Sequence, residues 1–124
     1  MCGISGYIGK KTINIKVIKK TLAIMKNRGP DANGYYNFFD KKNDINVNLL
    51  HTRLGIIDLD KRSNQPFTDG DLTIIFNGEI YNYLEKKKNL LLKKKVNFKT
   101  NSDTEILLKA YKEFGINFFD ELEG

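Results

Sequence analysis

A cysteine stands at position 2, directly behind the initiator methionine, and it is the only cysteine in the sequence. Processing enzymes commonly remove a methionine that precedes a small residue, and Cys2 would then carry both a thiol and a free α-amine. An N-terminal amine can supply the base that a nucleophile needs. Its pKa of about 7.7–8.0 suits a general base near neutral pH. The position of Cys2 thus fits an N-terminal nucleophile, but taken alone it favours a merely small residue near the start of the chain.

Two further polar clusters follow apolar segments. Arg53 stands at the end of a predicted strand, where its guanidinium can bind a carboxylate through two hydrogen bonds. Taken alone, the cluster favours the alternative of a surface arginine beside a histidine at the edge of the core. Asn77 and Gly78 form an Asn-Gly pair, the strongest short signal for a hairpin turn. The side-chain amide of Asn77 and the backbone N–H of Gly78 could instead stabilise a developing oxyanion.

Asp103 falls in the first turn of a predicted helix. The helix dipole would stabilise a negative charge at that position. Its carboxylate could instead bind a substrate ammonium group. No metal site is predicted from the sequence.

Length and composition limit the class of protein. A chain of 124 residues is predicted to form one domain, residues 1–124. A hydrophobic fraction of 40% is typical of a soluble globular protein, and no apolar run approaches the roughly 18 residues of a membrane span. The start of the chain does not resemble a signal peptide. One cysteine permits no internal disulfide, which favours a reducing cytoplasm.

The net charge is +6, and lysines are concentrated in residues 86–88 and 93–95. Such runs can bind phosphates of nucleic acids. However, arginine is scarce, and aromatic residues do not alternate with the lysines as base-stacking surfaces require. We therefore predict a solvated helix face and no nucleic-acid partner.

The elements that must position these residues can be predicted from periodicity. Alternating or aromatic runs predict strands over residues 3–8, 34–39 and 45–49, the last two joined as a hairpin by a polar turn. Apolar residues at helical spacing predict a helix over residues 14–25. The continuous apolar run 72–76 is typical of a strand buried on both faces.

Two more helices are predicted in the second half of the chain. Residues 83–95 have a weak helical pattern. Ser102 and Glu105 have the spacing of a capping box, which opens a second helix, and Gly115 is suited to its C-terminal end. One side of that helix is predicted to be formed by Ile106, Leu107, Ala110, Tyr111 and Phe114. Mixed helices and hairpin strands predict an α+β fold.

Several short motifs occur in the order found in class II glutamine amidotransferases, and this resemblance covers nearly the whole chain. The motifs are Cys2-Gly3-Ile4, residues 28–31, residues 51–59, Gln65-Pro66, residues 77–82 and residues 102–105. Within the class, residues 53–59 and 77–82 look like those of glutamine-hydrolysing asparagine synthetases.

The resemblance implies an N-terminal-nucleophile hydrolase fold, an αββα sandwich of two antiparallel sheets between helical layers. Domains of this family continue beyond a position like Gly124 with an apolar strand, so we expect a fold that is incomplete at its C-terminus. The ATP-dependent synthetase domain would also be absent. The resemblance thus implies no cofactor in this chain, because ATP and Mg would belong to the synthetase domain. The resemblance also implies a partner, which would be the missing C-terminal part or the synthetase domain, in the same chain or in a separate one.

The resemblance also implies catalytic roles. The sulfur of Cys2 would attack the side-chain amide of L-glutamine, and its α-amine would manage the proton. Asn77 and Gly78 would hold the oxyanion. Ammonia would leave, and water would hydrolyse the γ-glutamyl thioester.

Binding roles are carried over in the same way. Arg53 would bind the α-carboxylate of glutamine, with backbone groups of Leu54 and Ile56 nearby. Glu79 and Asp103 would bind the α-ammonium group. The charges of these residues match those of the substrate.

The function implied is that of a glutaminase domain of an asparagine synthetase-type enzyme, which releases ammonia for an acceptor such as aspartate. The acceptor could also be a sugar or another substrate, because its site lies outside these residues. The alternative is a non-catalytic remnant or interaction module that requires a partner chain.

Overall fold

The computed structural model describes residues 1–124, except for the side chains of residues 91 and 93. The regular elements are β1 (Gly3–Gly9), α1 (Ile15–Met25), β2 (Ala32–Asp40), β3 (Ile45–Arg53), β4 (Phe67–Asp69), β5 (Leu72–Ile74), α2 (Tyr83–Lys94) and α3 (Asp103–Phe114). Two 3₁₀ helices, Lys61–Ser63 and Gly115–Glu121, complete them. All pairings between these strands are antiparallel, which confirms the predicted α+β class with antiparallel sheets.

The chain divides into two compact units. The first unit contains Met1–Gly55, Asn64–Pro66 and Ile75–Asn77. The second unit contains Ile56–Ser63, Phe67–Ile74 and Gly78–Gly124. The assignment of residues 1–124 to one domain stays a prediction.

The first unit is built on a three-stranded sheet in the order β1-β3-β2. The predicted hairpin is confirmed, because β2 pairs with β3 from Asp40 and Ile45 outward. Helix α1 begins after Asn14, whose side chain caps the helix by accepting a hydrogen bond from the Lys16 backbone N–H at 2.8 Å. The buried core joins this helix to the central strand through Ile18, Leu22 and Leu50.

The second unit contains the two-stranded sheet β4-β5 together with α2 and α3. Its buried core is formed by Leu90, Ile106, Ala110 and Phe118. These residues come from both helices and from the second 3₁₀ helix, so the core depends on contacts between segments that are distant in sequence.

The prediction of a fully buried strand over residues 72–76 is wrong. Strand β5 ends at Ile74, and its three residues are only half-buried. It pairs with β4 alone among the described strands. The chain leaves the sheet because the backbone N–H of Phe76 donates to Oε1 of Gln65 at 2.6 Å, which replaces a ladder hydrogen bond.

The capping box at the start of α3 is only half confirmed. Ser102 is the N-cap, and its hydroxyl accepts a hydrogen bond from the Thr104 backbone N–H at 3.1 Å. Glu105 does not bond back to Ser102 as a capping box requires. Its carboxylate instead accepts from the backbone N–H groups of Lys99 and Thr100. The Glu105 carboxylate therefore stabilises the turn before the helix and does not cap the helix at Ser102.

The predicted apolar side of α3 is correct for its first part and wrong for its last turn. Tyr111 and Phe114 are each 42% exposed. They lie against the following 3₁₀ helix, where Phe114 stacks on Phe118 and Tyr111 meets the edge of Phe119. The helix ends as predicted at Gly115, whose φ of +69° is readily adopted only by glycine.

The lysine-rich segment is helical, as predicted. Lys88 and Lys94 are exposed, whereas Lys86 lies 3.2 Å from a carboxylate oxygen of Glu121. The Lys93 side chain lies outside the described residues. Within the described part of the chain, none of the helices has the length and apolar character that crossing a bilayer requires.

The core of the first unit should be sensitive to truncation at α1. Ile18 is 1% exposed and Ile24 is 71% exposed on the same helix. We expect Ile18→Ala to lower the free energy of unfolding by roughly 2–5 kcal/mol, through lost burial and a residual cavity. Ile24→Ala should change it by less than about 0.5 kcal/mol. Urea unfolding of both variants is the measurement, and equal losses would contradict the described packing.

Candidate active site

The sulfur of Cys2 contacts the backbone of Leu54. The Leu54 N–H donates to Sγ at 3.4 Å, and the thiol lies 3.7 Å from the Leu54 carbonyl oxygen. The contact follows from the antiparallel register of β1 and β3, in which Gly3 pairs with Thr52. The two residues thus come from strand ends that the sheet brings together. This half-buried thiol is held in a fixed position.

The residue after the cysteine must be very small. A Cβ added at Gly3 would lie 2.6 Å from Oγ1 of Thr52 and 3.3 Å from Cβ of Met25. The Thr52 hydroxyl is itself fixed, because it donates to the Met25 carbonyl oxygen at 3.1 Å. Close approach of the end of α1 to the sheet therefore explains a glycine at this position.

The segment after α1 supports the same strand ends. Nε of Arg28 donates to the Cys2 carbonyl oxygen at 3.1 Å. Asp31 accepts from the Gly55 N–H at 2.7 Å, and its own N–H donates to the Arg53 carbonyl oxygen at 2.9 Å. The sequence marked residues 28–31 only as a family motif and did not predict these contacts, because the partners are distant along the chain.

Arg53 is the last residue of β3 and is largely buried. Its Nη1 donates to Oδ1 of Asn64 at 2.8 Å, which orients one edge of the guanidinium. The adjacent Gln65 holds the backbone of Phe76, the residue before Asn77. Residues 64 and 65 thus support two candidate site residues of the first unit; the sequence marked Gln65-Pro66 as a family motif but did not indicate this supporting role.

Asn77 and Gly78 do not form a hairpin. In the described chain, no strand follows them to pair with β5; the backbone stays irregular until α2 begins at Tyr83. The hairpin that an Asn-Gly pair favours is therefore absent. Asn77 is half-buried and Gly78 is exposed.

His51 lies in β3, two residues before Arg53, and is fully buried. Burial lowers the pKa of His51 from 6.5 to about 4; a contact with the Phe76 backbone opposes the shift, and the charge of Arg53 adds to it. Neither ring nitrogen has a hydrogen bond of standard geometry among the described residues. The imidazole is therefore neutral at physiological pH and adds no charge beside Arg53.

In the second unit, Asp103 lies at the start of α3 with its carboxylate buried. It accepts from the Ile80 N–H at 3.2 Å and from the Thr104 N–H at 2.8 Å. Burial raises the pKa of Asp103; the hydrogen bonds from Ile80 and Thr104 oppose this, and the charge of Glu79 raises it further. Asp103 and Glu79 thus form an acidic pair that would gain from a nearby cation.

The structure brings several predicted site residues into defined contacts, within each unit. Cys2 contacts Leu54 in the first unit, and Glu79 acts electrostatically on Asp103 in the second. Ile56 is exposed. Substrate binding by the backbone groups of Leu54 and Ile56 stays a prediction.

Among the described residues, no cluster of three His, Cys, Asp or Glu side chains could hold a metal ion.

Comparison with known proteins identifies the family. A family model described as a glutamine amidotransferase domain matches residues 1–124. The chain belongs to the glutamine amidotransferase domain family. This confirms the resemblance that the ordered motifs indicated, and the observed antiparallel α+β elements agree with an N-terminal-nucleophile hydrolase-type domain.

The relatives of this amidotransferase domain include asparagine synthetases. It is 38% identical to a Methanocaldococcus jannaschii protein named putative asparagine synthetase (glutamine-hydrolyzing) 2, over the whole chain and 26% of that protein. It is 37% identical to asparagine synthetase (glutamine-hydrolyzing) 1 of Bacillus subtilis, over the whole chain and 20% of that protein. It is also 37% identical to the amidase chry2 of Gibberella zeae, with the same coverage. The chain spans about a fifth to a quarter of these relatives' length.

The buried neutral histidine makes stability depend on pH. The pKa of His51 in the folded chain is about 4, below its ordinary 6.5, so folding favours the neutral ring. The stability that the neutral His51 ring contributes to the folded protein is complete above pH 6.5 and is lost as the pH falls from 6.5 towards 4. We expect the wild-type protein to lose about 3 kcal/mol more stability over that range than His51→Gln, which cannot be protonated there.

Denaturant unfolding at a series of pH values measures this difference. The comparison uses the slope against pH, so any constant loss of packing in His51→Gln does not affect it. Parallel profiles for the two proteins would show that His51 is not the group responsible.

Proposed function

We propose that this amidotransferase domain hydrolyses the side-chain amide of L-glutamine through a thioester on Cys2 and so releases ammonia. The observation that supports this most directly is the sulfur of Cys2 held by the Leu54 N–H, next to the buried Arg53. A thiol fixed by the residue that follows a buried arginine in the chain suits a substrate that presents both an electrophilic carbon and a carboxylate.

The first step needs a free α-amine on Cys2, so Met1 must be removed. Met1 is 71% exposed and thus accessible to a processing enzyme. The amine takes the thiol proton while sulfur forms a bond to the amide carbon of glutamine. The carbonyl π electrons move to oxygen, and the side-chain amide of Asn77 and the N–H of Gly78 would stabilise that oxyanion.

The second step breaks the carbon–nitrogen bond. The α-ammonium returns its proton to the leaving nitrogen, and ammonia departs from the tetrahedral intermediate. Water then adds to the γ-glutamyl thioester with the α-amine again as base. The carbon–sulfur bond breaks, glutamate is released and the thiol of Cys2 is restored.

Charge complementarity would bind the two ends of glutamine. Arg53 would bind the α-carboxylate, with its guanidinium oriented by Asn64. Asp103 and Glu79 would bind the α-ammonium group. A bound ammonium would stabilise the ionised form of Asp103, which burial alone disfavours. Backbone groups of Leu54 and Ile56 would complete the contacts.

We propose that the ammonia serves an acceptor such as aspartate, because relatives are named asparagine synthetases. A relative named as an amidase at similar identity keeps other acceptors open. In this proposal, ATP and Mg act in a synthetase domain, in the same or a separate chain, and this chain holds no cofactor. A cytoplasmic location, suggested by the lone cysteine, remains part of the proposal.

Two variants separate binding from chemistry. Asn77→Ala should lower kcat by about 10²–10³, because an oxyanion donor acts mainly in the transition state. Arg53→Ala should chiefly raise the glutamine KM, because the carboxylate is bound throughout the reaction. Steady-state ammonia release from the protein that carries this domain is the measurement.

Arg62→Ala is the matched control for the arginine, because Arg62 is exposed and its described hydrogen bonds go to Asp60, two residues away. It should leave both constants unchanged. If Asn77→Ala kept kcat within a few-fold of wild type, Asn77 would not be an oxyanion donor. A KM for Arg53→Ala equal to that of the control would remove Arg53 from the substrate site.

A further inference from the structure

The turn before α3 is fixed by side chains that take its backbone N–H groups. The carboxylate of Glu105 accepts from Lys99 N–H at 2.9 Å and from Thr100 N–H at 2.7 Å. The hydroxyl of Thr100 accepts from Ser102 N–H at 3.2 Å. The remaining N–H between these residues, that of Asn101, has a different and more distant partner. The N–H groups of Thr100 and Ser102 are buried and would be costly if unpaired, whereas Asn101 is exposed and its partner stabilises the turn by holding the backbone in place.

That partner is Asp58, from the irregular segment after β3. Its Oδ2 accepts from the Asn101 N–H at 2.6 Å, a short contact to a charged acceptor. Its Oδ1 accepts from the Asp60 N–H at 3.1 Å, which fixes the side chain to its own loop. One carboxylate thus ties this loop to the residue two positions before Asp103.

The backbone at Asp58 is also unusual. Its φ of +51° lies in the left-handed region, which aspartate tolerates better than most residues with a Cβ. The local bond to Asp60 stabilises this conformation and aims the second oxygen at Asn101. An aspartate in this backbone conformation can therefore bond its own loop with one oxygen and hold the turn before α3 with the other.

We propose that Asp58 is a positioning residue for Asp103. By fixing Asn101, it sets the first turn of α3, so that the Asp103 carboxylate keeps its hydrogen bonds to Ile80 and Thr104 and its orientation towards a substrate ammonium. The inference rests on the proposed function for the role of Asp103, and on the hydrogen bonds alone for the fixing of the turn.

Three substitutions isolate the side chain. Asp58→Gly keeps the left-handed backbone readily accessible but removes the acceptor. Asp58→Asn keeps one acceptor oxygen, which can still accept from the Asn101 N–H although the bond to Asp60 is lost, and it should rescue part of the effect. Asp44→Gly is the matched control, because Asp44 also has a positive φ, +54°, and lies exposed in the β2–β3 turn.

Amide hydrogen exchange of the glutamine-free protein tests the fixing of the turn. We expect Asp58→Gly to speed exchange at Asn101 and Thr104 by about tenfold or more, since the loss of a hydrogen bond to a charged group shifts local opening by at least that factor. Asp58→Asn should exchange within a few-fold of wild type, and Asp44→Gly should not differ there. Unchanged exchange in Asp58→Gly would overturn the inference.

Calorimetric binding of glutamine to proteins that also carry Cys2→Ala, which prevents turnover, tests the consequence. We expect Asp103→Asn to bind much more weakly than wild type and Asp58→Gly to bind about tenfold more weakly. Asp58→Asn should restore most of the affinity. Wild-type affinity in Asp58→Gly, with weak binding in Asp103→Asn, would overturn the positioning role alone. Wild-type affinity in Asp103→Asn would overturn the proposed role of Asp103 and the positioning role with it.

Discussion

The antiparallel pairing of β1 with β3 is the constraint on which the first unit depends. The register that places Gly3 opposite Thr52 brings the sulfur of Cys2 to the backbone of Leu54. The same close packing leaves no room for a Cβ at residue 3, since the Thr52 hydroxyl lies where that atom would stand. A slip of one residue would turn every side chain of the strand to the other face, so the nucleophile is positioned by the sheet.

Several polar and charged side chains are buried, and the cost of burying each one is offset in a different way. Arg53 is oriented by Asn64, and Glu105 accepts hydrogen bonds from backbone N–H groups and pairs with Lys109 at 3.5 Å. His51 avoids the cost of burial by remaining uncharged. Asp103 retains a raised pKa that its hydrogen bonds only partly offset. Buried charges without full compensation are characteristic of functional sites, and here this one is the residue proposed to bind a cation.

Local patterns in the sequence were sufficient to predict much of the fold. Alternation identified β1 and the β2–β3 hairpin, and helical spacing identified α1 and α3. The assignment of roles to Cys2 and Arg53 depended instead on resemblance to a family. Hydrogen bonds between side chains and the backbone changed the outcome elsewhere: Gln65 bonds the backbone of Phe76 just past β5, and Glu105, which the sequence had assigned to a capping box, bonds the backbone of Thr100. Such bonds in irregular segments leave no periodic signal in the sequence.

The most direct test of the account is the mass of the N-terminal peptide after the protein reacts with an electrophilic glutamine analogue. The account predicts that the peptide begins at Cys2, without Met1, and carries one adduct located on the sulfur. Excess glutamine should protect Cys2 from modification, because both ligands would occupy the same site. A protein that hydrolyses glutamine with Met1 still attached, or that is modified at another residue, would contradict the N-terminal cysteine mechanism.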